Sequence, residues 1–498
     1  MSRIFFSSLT KIPAARIRCL YKRESPPFLL HMLETKDFFL NLSKRSLAER
    51  RSMMTIASSF RKEQAFYEEV MSAWHSLGFY RPLREDKTLS IAYQLCSHFY
   101  SSSKDIWVVS DLYWQLFENL VSYSELDSRT VEGDCWQNYL LDRTLELETT
   151  FSQKAALHKP TGLALRSSLA MELTALQHLY NLSATWWQQE AQKIVGRPLP
   201  LWSDLEALEL HQDNWLMSGY RKIKAHLANT EDWSMELPKL LDYYGQYGSG
   251  LYARYLAFRW ESEFVGIDEP DPIALENLIG YEKQRQQIID NTEKLVKGYR
   301  ANNILLYGDR GTGKSSTVKA LIHRFGQQGL RLLEVPKSRL GEFPAIISAS
   351  KRKKGALIVF VDDLSFEDGE TGYQEMKALL EGAVAVRPDN MVIYATSNRR
   401  HLIKEKVSDR TVEVQEDELR PGDSYQEKMS LADRFGITVT FMAPTQKEYL
   451  QIVESLAKER KLSMAREELH RLALIWERKQ NGRSGRTARQ FIDSLSTE

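Results

Sequence analysis

Cysteine is nearly absent. Cys19, Cys96 and Cys135 are scattered over 498 positions and form no C-x-x-C pair. An odd, widely spaced set supports neither a disulfide framework nor a zinc site, and a reducing cytoplasm is the expected compartment. Long apolar runs are missing as well. No stretch reaches the roughly eighteen consecutive apolar residues that a membrane span needs. An excess of one charge is missing too, since 67 Lys and Arg stand against 66 Asp and Glu. That balance excludes strong bulk attraction to nucleic acid. One local basic run exists, Lys351-Arg352-Lys353-Lys354. It reads as a solvated loop, with a contact to DNA, RNA or an acidic partner as the alternative. Acid is absent before Glu24, so Met1 to Arg23 has the composition of a transit peptide. A disordered tail, or a start placed too early with Met32 or Met53 as the true one, is the preferred reading.

What is present is a glycine loop, Gly308-Asp309-Arg310-Gly311-Thr312-Gly313-Lys314-Ser315, of the form G-x-x-x-x-G-K-S. Asn303 to Tyr307 before it is a short β-prone run, and Ser316 to Ile322 after it has helical apolar spacing. Strand, glycine loop and helix is the order that phosphate binding needs. The glycines let the backbone approach a triphosphate, and successive N–H groups and the helix N-terminus face its oxygens. Lys314 is expected at the β- and γ-phosphates of ATP, and the Ser315 hydroxyl on Mg²⁺.

Two further strand ends complete the pattern. Leu357 to Val361 is an apolar run ending in Asp362-Asp363 and reads as a buried parallel strand. Its acids fall at the sheet edge where ligands bind in open α/β folds. Asp362 is the expected Mg²⁺ partner and Asp363 the group that polarises the attacking water. A third strand, Met391 to Ala395, leads into Thr396-Ser397-Asn398, with Asn398 as the expected γ-phosphate sensor. A strand from Ile437 to Phe441 follows Arg434. Helical stretches follow at Thr445 to Lys461 and Arg466 to Lys479, before an arginine-bearing final segment at Arg486 and Arg489.

This series resembles the AAA+ ATPases. From about Glu269 onward it resembles, more narrowly, a bacterial AAA+ family catalogued as a domain of unknown function. The residues carrying that resemblance are Leu278-Ile279-Gly280-Tyr281-Glu282, Asn291-Thr292, the glycine loop through Ser316, Ala395 to Leu402, and Glu427 to Gly436. The resemblance implies an α/β P-loop AAA+ domain, a parallel sheet plus small helical lid, preceded by a mainly α-helical N-terminal domain. It implies that Ile279 and Gly280 line the adenine pocket and that Arg486, with Arg489 as rival, reaches the nucleotide from the lid. It also implies that Arg434 acts in trans as an arginine finger, so that the active form is a homo-oligomer. One departure is Asp363, where many AAA+ proteins carry Glu. A carboxylate one methylene shorter is expected to hold water less well, which makes slow hydrolysis an expectation.

The first half has a different character. Ten of the eleven tryptophans precede Glu261, and glycine is scarce until Gly245-Gln246-Tyr247-Gly248-Ser249-Gly250, a candidate hinge. Leu163 to Tyr180 and Leu205 to Leu210 have helical spacing. Trp186-Trp187 and Tyr243-Tyr244 read as core, with a recognition surface as the alternative. No nucleophile pattern, acid/base pair or metal spacing stands out in this half. Glu269-Pro270-Asp271-Pro272 marks the expected boundary, and Lys404 to Lys428 reads as a loop. The expected division is therefore 1–55, a disordered or mis-started tail; 56–268, helical; 269–444, ATPase core; and 445–498, lid. The leading function is a Mg²⁺-dependent ATPase that remodels or loads a macromolecular client, protein or nucleic acid. A slow nucleotide-gated adaptor and a helicase-loader-like ATPase are the alternatives.

Overall fold

The protein is described by a computed structural model at residues 47–101, 104–127, 130–203, 215–351, 353–366, 371–381, 388–398, 434–480 and 482–495. The expectations for Met1 to Arg23, Leu205 to Leu210, Arg399 to Leu402, Lys404 to Lys428 and Glu427 to Asp433 lie outside the described residues. The chain forms two compact units that divide after Gly250.

The first unit is helical: α1 (Leu47–His75), α2 (Lys87–Tyr100), α3 (Ile106–Ser122), α4 (Cys135–Glu146), α5 (Thr150–Ala156), α6 (Leu163–Tyr180), α7 (Ala184–Val195), α8 (Trp215–Ala228) and α9 (Leu237–Tyr247). Helix α1 begins inside the segment read as tail. Acid caps fix several starts. Asp86 accepts from the N–H groups of Thr88 and Leu89, Asp105 from those of Trp107 and Val108, and Asp134 from those of Trp136 and Gln137. The tryptophans form the core. Trp74, Trp136, Trp187 and Trp233 are fully buried. The Trp136 ring lies 5.0 Å from Trp187 and 6.4 Å from Trp74, and its indole N–H donates to the Leu179 carbonyl at 2.8 Å. Trp187, Tyr243 and Tyr244 are buried, as the core reading expects, whereas Trp186 is half-buried.

A charge pair also sits inside this unit. Lys224 Nζ lies 2.7 Å from Asp142 Oδ1 with both side chains buried. Lys224 also donates to the Thr130 carbonyl and to Asn138 Oδ1, each at 2.6 Å. Asp142 accepts from the hydroxyls of Tyr123 and Tyr220. Burial pulls the Lys224 ammonium below its ordinary pKa, opposed by Asp142. Burial and Asp142 push the Tyr220 hydroxyl well above its own.

The second unit holds β1 (Ala257–Trp260), β2 (Phe264–Gly266), α10 (Glu282–Val296), β3 (Ile304–Gly308), α11 (Lys314–Phe325), β4 (Leu330–Glu334), α12 (Phe343–Ser350), β5 (Ala356–Val361), α13 (Thr371–Glu381), β6 (Met391–Ser397) and β7 (Ile437–Phe441). Three helices follow: α14 (Gln446–Glu459), α15 (Arg466–Lys479) and α16 (Gly485–Leu495). The seven strands lie in the order β2-β1-β4-β5-β6-β3-β7. All pairings are parallel except β1 with β2. Every residue of β5 and β6 is buried, which explains the unbroken apolar sequence of β5 and the apolar run of β6 as far as Ala395. Strand β6 lies between the glycine-loop strand β3 and the acid-bearing strand β5. Pairings Val361 with Ala395, Tyr307 with Ser397 and Gly308 with Phe441 bring four strand ends to one edge.

This unit starts at Leu251, earlier than the expected boundary at 268/269. The reason is β1, which pairs with β4 while Phe258, Trp260 and Phe264 enter the sheet core. The two prolines at 270 and 272 follow those strands instead of preceding the unit. Asn291 and Thr292 do structural work: Asn291 donates to the Tyr394 hydroxyl at 3.0 Å, and Thr292 Oγ1 lies 2.9 Å from it. They hold α10 against β6. The lid has its own core of Tyr449, Ile452, Val453, Leu469, Phe491 and Ile492. Among the described residues no helix is long and apolar enough to cross a membrane.

Candidate functional site

The glycine loop leaves β3 in a conformation that only glycine accommodates. Gly308 has φ 140°, and a Cβ there would lie 1.9 Å from the Phe441 carbonyl oxygen. The Asp309 N–H donates to that same oxygen at 3.0 Å, so the loop is pinned to the end of β7. Gly313, at φ 89°, is the N-cap of α11 and aims its N-terminus into the loop. Lys314 is buried, and its Nζ donates to the carbonyls of Gly308 at 2.9 Å and Asp309 at 2.7 Å and to Asn398 Oδ1 at 3.3 Å. Burial pulls its pKa below the ordinary lysine value, opposed by Asp309, Asp362 and Asp363. An anion at the loop would strengthen the charged form.

The acids at the end of β5 meet the loop. Ser315 Oγ donates to Asp362 Oδ1 at 2.6 Å. The Thr396 hydroxyl donates to the same oxygen. The Asp363 N–H lies 2.9 Å from Thr396 Oγ1 and 3.2 Å from Asp362 Oδ1. Asn398 Nδ2 donates to Asp363 Oδ1 at 2.7 Å. Asn398 thus touches both Lys314 and Asp363. Asp363 has φ 51°, a left-handed conformation that aspartate enters more readily than most residues. No group of three or more His, Cys, Asp or Glu side chains placed to hold a metal occurs among the described residues. The two hard oxygen ligands that do converge, Ser315 and Asp362, suit Mg²⁺ held jointly with phosphate oxygens and water.

These groups line one cavity of about 750 Å³. Arg310, Gly311, Thr312 and Ser316 of the glycine loop also line it, and Thr312 Oγ1 donates to the Asp309 carbonyl at 2.8 Å. Ile279, Gly280 and Tyr281 line it together with Ile452 and Leu456 of the lid, and Ile279 packs against the lid core. Gly280 and Tyr281, at φ 77° and 59°, turn the linker over the site. The Tyr281 hydroxyl donates to the Met442 carbonyl at 2.6 Å, and its ring lies 5.1 Å from that of Phe441. Burial pushes that hydroxyl up to about 12, so it stays a donor. Arg486 and Arg489 both line the cavity, one helical turn apart on α16. The Arg486 N–H donates to the Gly311 carbonyl at 3.3 Å, which seats the lid on the loop.

Arg434 stands elsewhere. It precedes β7, whose first residue Ile437 pairs with Ile304 and whose last, Phe441, pairs with Gly308. Arg434 therefore stands at the opposite strand end from the loop, beyond the roughly 13 Å that the four steps from Ile437 to Phe441 span. Arg434 is not among the residues lining its own cavity.

Thr396, Tyr281, Arg285 and Phe441 also line the cavity, and motif reading, which named Thr396 and Tyr281 only within longer runs, gave none of them a role. Thr396 was findable, because aligning the ends of adjacent parallel strands sets it level with Asp362. The basic run is not a simple solvated loop. Lys353 Nζ sits 5.2 Å from the centre of the Tyr252 ring and 6.0 Å from that of Phe264, and Lys354 is half-buried with a lowered pKa.

Residues 253–498 match the family described as "Protein of unknown function (DUF815)". Among solved structures the chain is similar to the Thermotoga maritima RuvB Holliday junction branch migration motor. That match is at 16% identity and TM-score 0.31, over 45% of this chain and 63% of that one. A point mutant of the same Thermotoga maritima protein matches at 14% identity and TM-score 0.28, over 46% of this chain and 73% of that one. The chain thus spans less than two thirds of the first of these structures. No curated protein matches it. From residue 253 onward the chain matches that uncharacterised family, and its fold there is an α/β fold with a mostly parallel seven-stranded sheet, a glycine loop between β3 and α11 and three C-terminal helices, preceded by a mainly helical unit.

Proposed function

We propose that this protein is a Mg²⁺-dependent AAA+ ATPase that works as a cytoplasmic homo-oligomer on a macromolecular client. The observation carrying the reading is the convergence of Lys314, Ser315, Asp362, Asp363 and Asn398, from three strand ends, on one cavity closed by the lid. The loop amides, Arg310 and Lys314 bind the triphosphate of ATP. Ser315 and Asp362 hold Mg²⁺, which when bound neutralises phosphate charge. Asp363 orients the attacking water, and Asn398 positions Asp363 while reporting on the γ-phosphate. Ile279, Gly280 and Tyr281 enclose the base, and Arg486, with Arg489 beside it, links lid angle to nucleotide state.

Arg434 completes the site of a neighbouring copy. Its place at the far end of β7 supports action in trans, and an arginine finger contributes about 10³–10⁵ in rate. The test is hydrolysis by the assembled protein. Lys314→Ala should abolish tight ATP binding, whereas Arg434→Ala should leave binding intact and cut turnover. Unchanged turnover with Arg434→Ala would remove the trans role.

A second reading, a slow nucleotide-gated switch, is favoured by one contact. The short Asp363 carboxylate is already engaged by Asn398 at 2.7 Å. Single-turnover hydrolysis near the uncatalysed rate, in the presence of assembled protein, would select it over the motor.

A further inference from the structure

Helix α3 carries an apolar stripe on its solvent side. Trp107 is 76% exposed and Trp114 is 47% exposed, at a spacing of two helical turns. Between and beyond them on the same face stand the exposed acids Asp111 and Glu118. Gln115 donates to Asp111 at 2.7 Å, and no cation occupies the stripe within α3. One flank rests on further aromatic rings. Trp114 packs edge-on to Phe117 at 5.7 Å, and Phe117 lies 6.1 Å from Trp202. Trp202 is anchored by stacking on Tyr113 at 5.1 Å, and the adjoining Leu201 is exposed. Trp114 is therefore mounted, through Phe117, on the buried rings of Trp202 and Tyr113.

Exposed tryptophan on a rigid support is the residue type that dominates protein interfaces. The carboxylates decide the chemistry of the occupant. Asp111 and Glu118 repel nucleic-acid phosphate and anionic lipid headgroups alike, and they favour Lys or Arg placed beside an apolar ridge. Two apolar anchors seven residues apart match one face of an amphipathic helix. We propose that the Trp107–Trp114 stripe of α3 is a docking surface for a basic amphipathic helical segment of a protein partner. This deepens the client half of the ATPase reading by giving the client a chemistry. Binding at this surface does not itself require ATP turnover.

The test uses the full chain and a synthetic eighteen-residue amphipathic helix of Leu and Lys as probe. Fluorescence anisotropy should show saturable binding that weakens as salt rises. Trp107→Ala and Trp114→Ala should each weaken it about tenfold or more, as loss of an interface anchor does. Asp111→Lys with Glu118→Lys should abolish binding of the Lys probe and create binding of a Leu/Glu helix. Both sets of changes are on exposed positions, and circular dichroism checks that the helical unit stays folded. No binding by the wild-type chain would overturn the proposal. So would equal binding by the tryptophan variants, or equal affinity for the Lys and Glu helices. If saturable capture of single-stranded oligonucleotide were lost in the same tryptophan variants, the partner class would be wrong. Lys314→Ala separates the two readings. Probe binding that persists in that variant leaves the surface standing even if the ATPase reading fails.

Discussion

At the scale of single residues, the site depends on side chains that serve two partners at once. Thr396 donates to Asp362 and accepts from the Asp363 N–H. Replacing it with Val keeps the shape and removes both bonds. Thr396→Val should lower kcat about tenfold to a hundredfold with ATP affinity nearly unchanged, because the groups that contact phosphate remain. Steady-state hydrolysis alongside equilibrium ATP binding would show this split, and a matched loss of affinity would contradict it. Asn398 has the same double engagement, with Lys314 and Asp363. Lys314, Ser315, Asp362, Asp363 and Asn398 were legible in the sequence because each stands at a fixed offset from a strand or glycine signal. Thr396 was not singled out, since its meaning lies in register between strands far apart in the chain. Lys353 misled for a related reason: a run of four basic residues is silent about the rings of Tyr252 and Phe264, which sit on other elements.

At the scale of elements, β7 and the lid hold the glycine loop from two sides. Gly308 faces the Phe441 carbonyl, a backbone group that cannot swing away. Gly308→Ala should therefore cost more than about 2 kcal/mol and abolish ATP binding. Thermal unfolding with and without nucleotide measures both. The lid begins with a capping box in which Thr445 and Glu448 satisfy each other's backbone. Thr445→Ala should cost about 1 kcal/mol of lid stability, seen as faster hydrogen exchange in α14. Hydrogen bonds from the Thr445 hydroxyl and N–H hold the Glu448 carboxyl below its ordinary pKa of 4.5. Its contribution is complete above that ordinary value and fades as pH falls through the lowered one. The exchange protection of α14 should follow the same course. Sequence periodicity located these helices well, since an apolar stripe and a cap are local signals. It set the start of the unit too late, because β1 and β2 are only four and three residues long. Strands that short leave too little alternation to read, whereas the prolines after them are conspicuous.

At the scale of the whole molecule, two units with separate cores account for the uneven legibility of the chain. The helical unit could be recognised as helical and tryptophan-cored, yet its buried Lys224–Asp142 pair joins residues of α8 and α4 that no local pattern connects. Lys224→Met should destabilise that unit by about 3–5 kcal/mol, since it strands a buried carboxylate. Calorimetry should show a lowered transition for the helical unit, while ATP protection of the second unit persists. The place of Arg434 at the far end of β7 from the loop, together with the trans role proposed for it, has a genetic corollary. A Lys314→Ala chain lacks a working loop but still offers its arginine, and an Arg434→Ala chain lacks the arginine but keeps its loop. Neither should turn over ATP alone. Mixed together, they should regain activity at those junctions where an intact loop meets an intact arginine. Two dead alleles would then complement one another inside a single assembly.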